Sequence, residues 1–150
     1  PARNSGSNER LSVSNDPTFS QVRSPRSQGK RSNSVVLRLT KPVPEGELTG
    51  EIEVRSYFVS GRKKTWVSPD DLTSWETVLD DLSRGDNTAW REGQRATEIW
   101  LELDDFDRVI VSVVDRMSSL VSVELTIEVA DGWLENHYKR LNAIRKMQPG

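Results

Sequence analysis

The chain has 150 residues, a formal net charge of −2, 34% hydrophobic and 29% charged residues, and no cysteine. That length admits one core and a tail, and the lack of cysteine excludes disulfides, thiolate nucleophiles and every cysteine-ligated zinc site. No apolar run exceeds three residues, whereas a spanning helix takes about 20 and a signal-peptide core about 7 to 15, so membrane insertion and Sec export are not expected and a cytoplasmic location is.

Residues 1–34 hold nine serines, three prolines and no apolar period. They are expected to form a disordered tail, because such a composition buries too little surface to offset the entropy of ordering. Six basic residues (Arg3, Arg10, Arg23, Arg26, Lys30, Arg31) face Glu9 and Asp16, a net of +4, while the remainder carries 15 basic and 21 acidic residues, a net of −6. A basic arm of this kind can touch nucleic acid weakly by counterion release. A solvated leader is the simpler reading.

From Val35 to residue 147 the pattern is that of one folded domain. Val35–Leu39 reads as a strand, broken by the run from Lys41 to Gly46, which contains Pro42 and Pro44. Ile52, Val54, Ser56 and Phe58 then alternate with Glu51, Glu53, Arg55 and Tyr57, the period of a strand with one buried face. Ser60-Gly61 turns the chain into a strand over Arg62–Val67, whose Lys63 and Lys64 keep an edge soluble. Ser68-Pro69-Asp70-Asp71 starts a helix, since serine caps, proline suits the first helical position and aspartates suit the positive end of the dipole. Leu72, Trp75, Val78, Leu79 and Leu82 form its apolar stripe, and Gly85 stops it.

Asn87–Glu92 adds a short strand around Trp90. Ile99, Leu101 and Leu103 alternate with Glu98, Trp100 and Glu102, the acidic turn Asp104-Asp105-Phe106-Asp107 follows, and two further strands run over Arg108–Asp115 and Leu120–Val129. Asp131 caps a last helix with Trp133, Leu134, Tyr138, Leu141 and Ile144 facing the core. The expected class is α+β, in the order β-β-β-α-β-β-β-β-α: a largely antiparallel sheet of about six or seven strands with two helices packed on one face.

The residue inventory narrows the chemistry. His137 is the only histidine, and its spacing from Trp133 and Leu141 places it on the core side of the last helix, as a structural residue. One histidine without cysteine builds no zinc cage, so no metal is expected unless Asp104, Asp105 and Asp107 hold a divalent cation through oxygen ligands. That turn lacks the length, glycine and terminal glutamate of an EF-hand loop, and acidic residues also favour turns for local hydrogen bonding. Neither GxGxxG nor GxxxxGK[ST] occurs, so no nucleotide cofactor is expected.

Surface features remain. Trp100 shares a strand face with Glu98 and Glu102, away from Ile99 and Leu101, and is expected to be partly exposed. It is either an interface anchor or packed on an aliphatic stem or the Trp90 segment. With Asp80 and Asp81 on the acidic helix, Glu98, Trp100 and Glu102 make the expected partner-binding set. The expectation is a non-enzymatic protein-binding domain. The alternative is a carboxylate- or divalent-metal-dependent enzyme using Asp104, Asp105 and Asp107.

Three strings resemble an uncharacterised family of small actinobacterial proteins, a domain of unknown function. They are Tyr57-Phe58-Val59-Ser60-Gly61; Asp71-Leu72 with Trp75, Leu79, Leu82 and Gly85; and Asp131-Gly132-Trp133-Leu134 followed by Arg140-Leu141 and Arg145-Lys146. The layout of hairpin, tryptophan-bearing helix, strands and C-terminal helix is similar in outline to WapI-type immunity proteins. That resemblance implies a domain which binds and neutralises a toxin, and the acidic body suits a basic toxin domain as partner.

Overall fold

The computed structural model describes residues 9–14, 33–42, 47–105 and 107–147. Ten elements follow in chain order: β1 (Glu9–Ser14), β2 (Ser34–Pro42), β3 (Leu48–Arg55), β4 (Ser60–Val67), α1 (Pro69–Ser83), β5 (Thr88–Trp90), β6 (Glu98–Asp104), β7 (Arg108–Asp115), β8 (Val121–Glu128) and α2 (Trp133–Met147). From Ser34 onward this is the expected α+β order. The strands expected in one sheet are divided between two antiparallel sheets, ordered β1-β2-β3-β4 and β5-β6-β7-β8. The division falls where α1 separates β4 from β5, and long twisted sheets commonly resolve into two packed layers in this way.

β1 corrects the expectation for the tail. Residues 9–14 pair with β2 in the register Leu11↔Leu37 and Val13↔Val35. The sequence signal is the alternation of Leu11 and Val13 with Ser12 and Ser14, too short to stand out from its serine-rich surroundings. Ser34 likewise belongs to β2. Residues 1–8 and 15–32 of the expected tail lie outside the described residues.

Register explains the core. In the first sheet Val35↔Val54 and Leu37↔Ile52 share one face. In the second, Ile99, Val113 and Val123 form one rung, and Leu101, Val111 and Leu125 the next. These faces join the buried stripe of α1 (Leu72, Trp75, Val78, Leu79, Leu82) and Leu141 and Ile144 of α2 in one hydrophobic cluster. α1 lies beside β5 and α2, and α2 lies beside β1 and β2, so the helix pair links the two sheets. Gly50 has a specific reason to be glycine: a Cβ there would lie 2.8 Å from the Arg38 carbonyl oxygen, where β2 departs from regular pairing.

Both ends of α1 are closed as its sequence implies. Ser68 Oγ accepts the Asp71 N–H and the Asp71 carboxylate accepts the Ser68 N–H, a reciprocal capping box. At the far end Gly85 adopts φ +83°, with the Asp86 and Gly85 N–H groups donating to the Asp81 and Leu82 carbonyls. α2 starts one residue later than an Asp131 cap implies: Gly132, at φ +78°, precedes Trp133, and its carbonyl accepts the Asn136 N–H. No helix among the described residues is long and apolar enough to cross a membrane.

The buried charge at the centre is Arg91, whose side chain is 1% exposed. Its Nε and Nη2 donate to the Thr97 carbonyl at 3.1 and 2.9 Å, Nη1 to the Trp66 carbonyl at 3.0 Å, and Nη2 also to Thr65 Oγ1 at 3.0 Å. The guanidinium lies over the Trp90 ring, 4.1 Å from its centroid, and Asp71 supplies an opposing charge at 4.0 Å. One side chain thus joins β4, the start of α1 and the β5–β6 loop. Arg91→Ala is expected to destabilise the fold by about 3–5 kcal/mol, because the Thr97 and Trp66 carbonyls and the Thr65 hydroxyl lose their charged donor and the half-buried Asp71 carboxylate loses its opposing charge. Arg91→Lys should not restore it, since a single ammonium cannot reproduce the planar fork. Urea denaturation followed by tryptophan fluorescence measures both, and a loss below about 1 kcal/mol for Arg91→Ala would contradict this account.

Candidate functional site

The strand registers place three described loops at one end of the sandwich. Arg55↔Ser60 closes the β3–β4 hairpin, Asp115↔Val121 closes the β7–β8 turn, and Trp90↔Ile99 with Glu98↔Val114 sets the β5–β6 loop beside that turn. An ion pair between Lys63 and Asp115 joins the first sheet to the second at this end. The helices are entered from the opposite end, after Val67 and Glu128.

Ser56 makes the hairpin tip. Its N–H and hydroxyl donate to the Val59 carbonyl at 2.8 and 2.7 Å, and its Oγ accepts the Val59 N–H at 2.8 Å. Tyr57 and Phe58 are carried to the apex, 84% and 93% exposed. This corrects the expected alternation, which placed Phe58 on the buried face of a longer strand: β3 stops at Arg55 because Ser56 diverts the chain into the turn. Across the end, Leu120 is 81% exposed at φ +60°, with Met117 and Val121 exposed beside it. Between the two loops opens a cavity of about 420 Å³ whose apolar walls include Ile52, Val54, Val113 and Val123.

Two acidic groups organise this end. The Asp115 carboxylate accepts the Ser118 N–H at 3.2 Å, the Ser119 N–H at 3.0 Å and the Ser119 hydroxyl at 2.7 Å, in addition to the Lys63 ammonium. The Lys63 bond, then the Ser119 N–H, holds its pKa far below the usual carboxylate range. Glu98 is buried and accepts the Gly93 N–H and the Arg116 Nε–H, each at 2.9 Å, so it ties the β5–β6 loop to the β7–β8 turn. The Gly93 bond and then Arg116 lower its pKa. On the outward face of the first sheet, Glu53 is buried among Arg38, Arg55 and Arg62 at 2.8, 2.6 and 3.1 Å, and the Arg38 bond in particular lowers its pKa.

The residues expected to bind a partner fall in two places. Glu98, Trp100 and Glu102 share the outward face of the second sheet, where Trp100 is half-buried and pairs with Ser112, and Glu102 is exposed. Glu124 and Glu128 are exposed on the same face. Asp80 and Asp81 lie elsewhere. Asp80 accepts the Tyr138 hydroxyl at 2.5 Å, and Asp81 accepts the Thr88 hydroxyl at 2.8 Å and pairs with Arg84. Thr88 stands opposite Leu101, an inward position, so Asp80 and Asp81 do not extend the Trp100 surface. Burial, followed by the Asp80 bond, raises the pKa of the Tyr138 phenol.

The acidic turn works as a turn. Asp104 accepts the Asp105 N–H at 2.7 Å and pairs with Arg108 at 2.9 Å, while Asp107, at φ +53°, accepts the Val129 N–H through its carbonyl. No group of three histidine or acidic residues among those described is arranged to hold a metal ion. His137 is buried, its ring centroid 6.1 Å from that of Trp75 and 5.7 Å from that of Trp133. Sequence reasoning missed Tyr57, Phe58, Met117 and Leu120. The available signal was charge: residues 54–69 contain Arg55, Arg62, Lys63 and Lys64 but no acid, unlike the acidic remainder.

A family model described as "Family of unknown function (DUF5959)" matches residues 26–149. No curated protein and no solved structure matches the chain.

Glu53, Glu98 and Asp115 all titrate below their ordinary values of 4.5, 4.5 and 3.8. Each therefore contributes stability that is fully present above that value and is lost as pH falls toward the folded one. The melting temperature should be flat from about pH 7 to about pH 5 and decline below about pH 4. Glu98→Gln, which cannot ionise, should lower stability at neutral pH and make the acid decline shallower. Scanning calorimetry across that range checks both, and an unchanged slope in the variant would remove Glu98 from the account.

Proposed function

We propose that this chain, which belongs to the DUF5959 family, is a non-enzymatic protein-binding domain whose anchor is the loop-bearing end of the sandwich. The observation that carries the reading is the exposure of Tyr57, Phe58 and Leu120 around an apolar cavity. Contiguous exposed apolar groups rimmed by polar ones are the mark of an interaction surface, and aromatic residues supply most of the energy of such contacts.

The finer reading is an immunity-type role against a basic toxin domain. The net charge of −6 over residues 35–150 supports it, as does the acidic outward face carrying Glu102, Glu124 and Glu128 around Trp100. Complementary charge speeds encounter, while buried apolar anchors slow dissociation. β6 and β8 carry that acidic face, and β8 begins just after the turn bearing Leu120, so one partner can meet both.

A photo-reactive phenylalanine at position 58 should trap a partner in the native host, and the same group at exposed Thr73 on α1 should not. The triple variant Tyr57→Ser, Phe58→Ser, Leu120→Ser should keep the fold's stability within about 1 kcal/mol, because exposed positions contribute little to it. Its partner affinity should fall by roughly 30-fold or more, as expected for loss of a hot-spot anchor worth about 2 kcal/mol. Equal trapping at both positions, or full retention of the partner by the triple variant, would count against the surface. Co-expression with a toxin domain encoded beside the chain tests the finer role: growth should be rescued by the native chain and not by the triple variant.

A further inference from the structure

We propose that the cavity between the sheets is itself a ligand site for an amphipathic anion of the medium-chain fatty-acid class, with the alkyl chain on the apolar walls and the carboxylate at Lys63 and Thr97. The walls contributed by Ile52, Val54, Val113 and Val123 suit a saturated chain, and about 420 Å³ lies within the usual range for small-molecule pockets. Two polar features of the same cavity point to a ligand head group.

Thr97 lines the cavity, is 4% exposed, and its Oγ1 has no hydrogen-bond partner among the described residues. Buried hydroxyls are almost always partnered, so an orphan in a residue that lines a roomy pocket calls for a polar atom that a ligand brings once the hydroxyl turns toward it. The second feature is Lys63, also in the cavity wall, which is only partly engaged. An ammonium has three donors, and one points at Asp115, whose carboxylate already accepts three bonds from Ser118 and Ser119. Thr97 precedes Glu98, which stands opposite Val114, so Thr97 sits across from Asp115 and therefore close to the Lys63 head. Cation and orphan hydroxyl thus meet at one place on a mostly apolar wall, where the Asp115 carboxylate is already engaged by Ser118, Ser119 and Lys63 and leaves donors rather than a free acceptor to a ligand, the arrangement that separates an amphipathic anion from a neutral or cationic chain of equal length.

This inference does not rest on the partner surface, and its test uses the isolated native chain. Decanoate, decanol and decylamine are titrated below their micelle-forming concentrations, with binding read by calorimetry and by NMR shifts of valine methyl groups. Decanoate is expected to bind one to one and at least tenfold tighter than decanol, with decylamine weaker still. Thr97→Val should leave melting unchanged or raised, since it removes an orphan hydroxyl, yet weaken decanoate by about fivefold or more. Lys63→Gln should abolish the preference for decanoate over decanol. Val113→Phe should fill the cavity and remove binding of all three, and Tyr57→Ser with Phe58→Ser should leave decanoate binding intact. Failure of every probe to shift a cavity methyl would overturn the proposal, as would equal affinity for decanoate and decanol or undiminished decanoate binding by Thr97→Val. None of those results touches the partner reading, which the variants at the hairpin tip decide.

Discussion

Burial of the Arg91 guanidinium is the constraint on which the arrangement of both sheets depends. Desolvation lowers its pKa, and Asp71 acts in the opposite direction, but a guanidinium starts so high that it stays charged. A charge in that position has to be met by acceptors on every side. The Trp66 carbonyl and Thr65 hydroxyl come from the edge of the first sheet, the Thr97 carbonyl from the entry to the second, and Asp71 from the capping box of α1. Among the described residues the two four-stranded ladders are separate, so a fork with fixed geometry specifies their relation in a way that apolar packing alone does not. Trp90 completes the arrangement: its ring lies under Arg91 and edge-on to Trp75, 5.6 Å between centroids, and its Nε1–H donates to the Asp71 carbonyl.

The same fork links the core to the loop-bearing end. By holding the Thr97 carbonyl it fixes the loop from residue 91 to 97, and Glu98 then ties Gly93 of that loop to Arg116 of the next. Asp115 continues the chain of contacts to Lys63 on the facing sheet. The Glu98 and Asp115 carboxylates near the open end are thus consumed in positioning loops, while Tyr57, Phe58 and Leu120 of those loops are left outward. The helices have the complementary role, their aromatic and aliphatic stripes joining the cluster that both sheets share.

What was legible in the sequence was periodic. The alternation of β6 to β8, the stripe of α1 and its Ser68 to Asp71 start are local patterns whose physical cause lies within a few residues, and the structure reproduces them. What was not legible depends on distant partners. Arg91 follows a tryptophan in a polar stretch, and nothing nearby reveals that three acceptors 6 to 26 positions away surround it. β1 forms only because β2 offers an edge. The division into two sheets is a property of pairing, not of strand propensity. At the candidate site, Trp100 was placed on the outward face correctly by its parity, whereas grouping it with Asp80 and Asp81 required knowing how α1 is rotated. Glu98 was read as a surface charge because its two partners belong to different loops.

The rim residues conflict with local preference in a way the fold does not require. The hairpin at Ser56 is closed by bonds among Ser56 and Val59 alone, so polar residues at 57 and 58 would satisfy the turn equally and solubility better. Leu120 is opposed twice. Its φ of +60° is a conformation that glycine and asparagine adopt readily and leucine does not, and its side chain is nonetheless turned to solvent. A position that is unfavourable for both its backbone and its exposure, at the same end as an aromatic pair with the same unfavourable exposure, is where the rules of stable folding are locally broken. Among the described residues Arg91 and Asp107 also take positive φ and Trp66 is also exposed, but Leu120 alone joins a positive φ to an exposed apolar side chain.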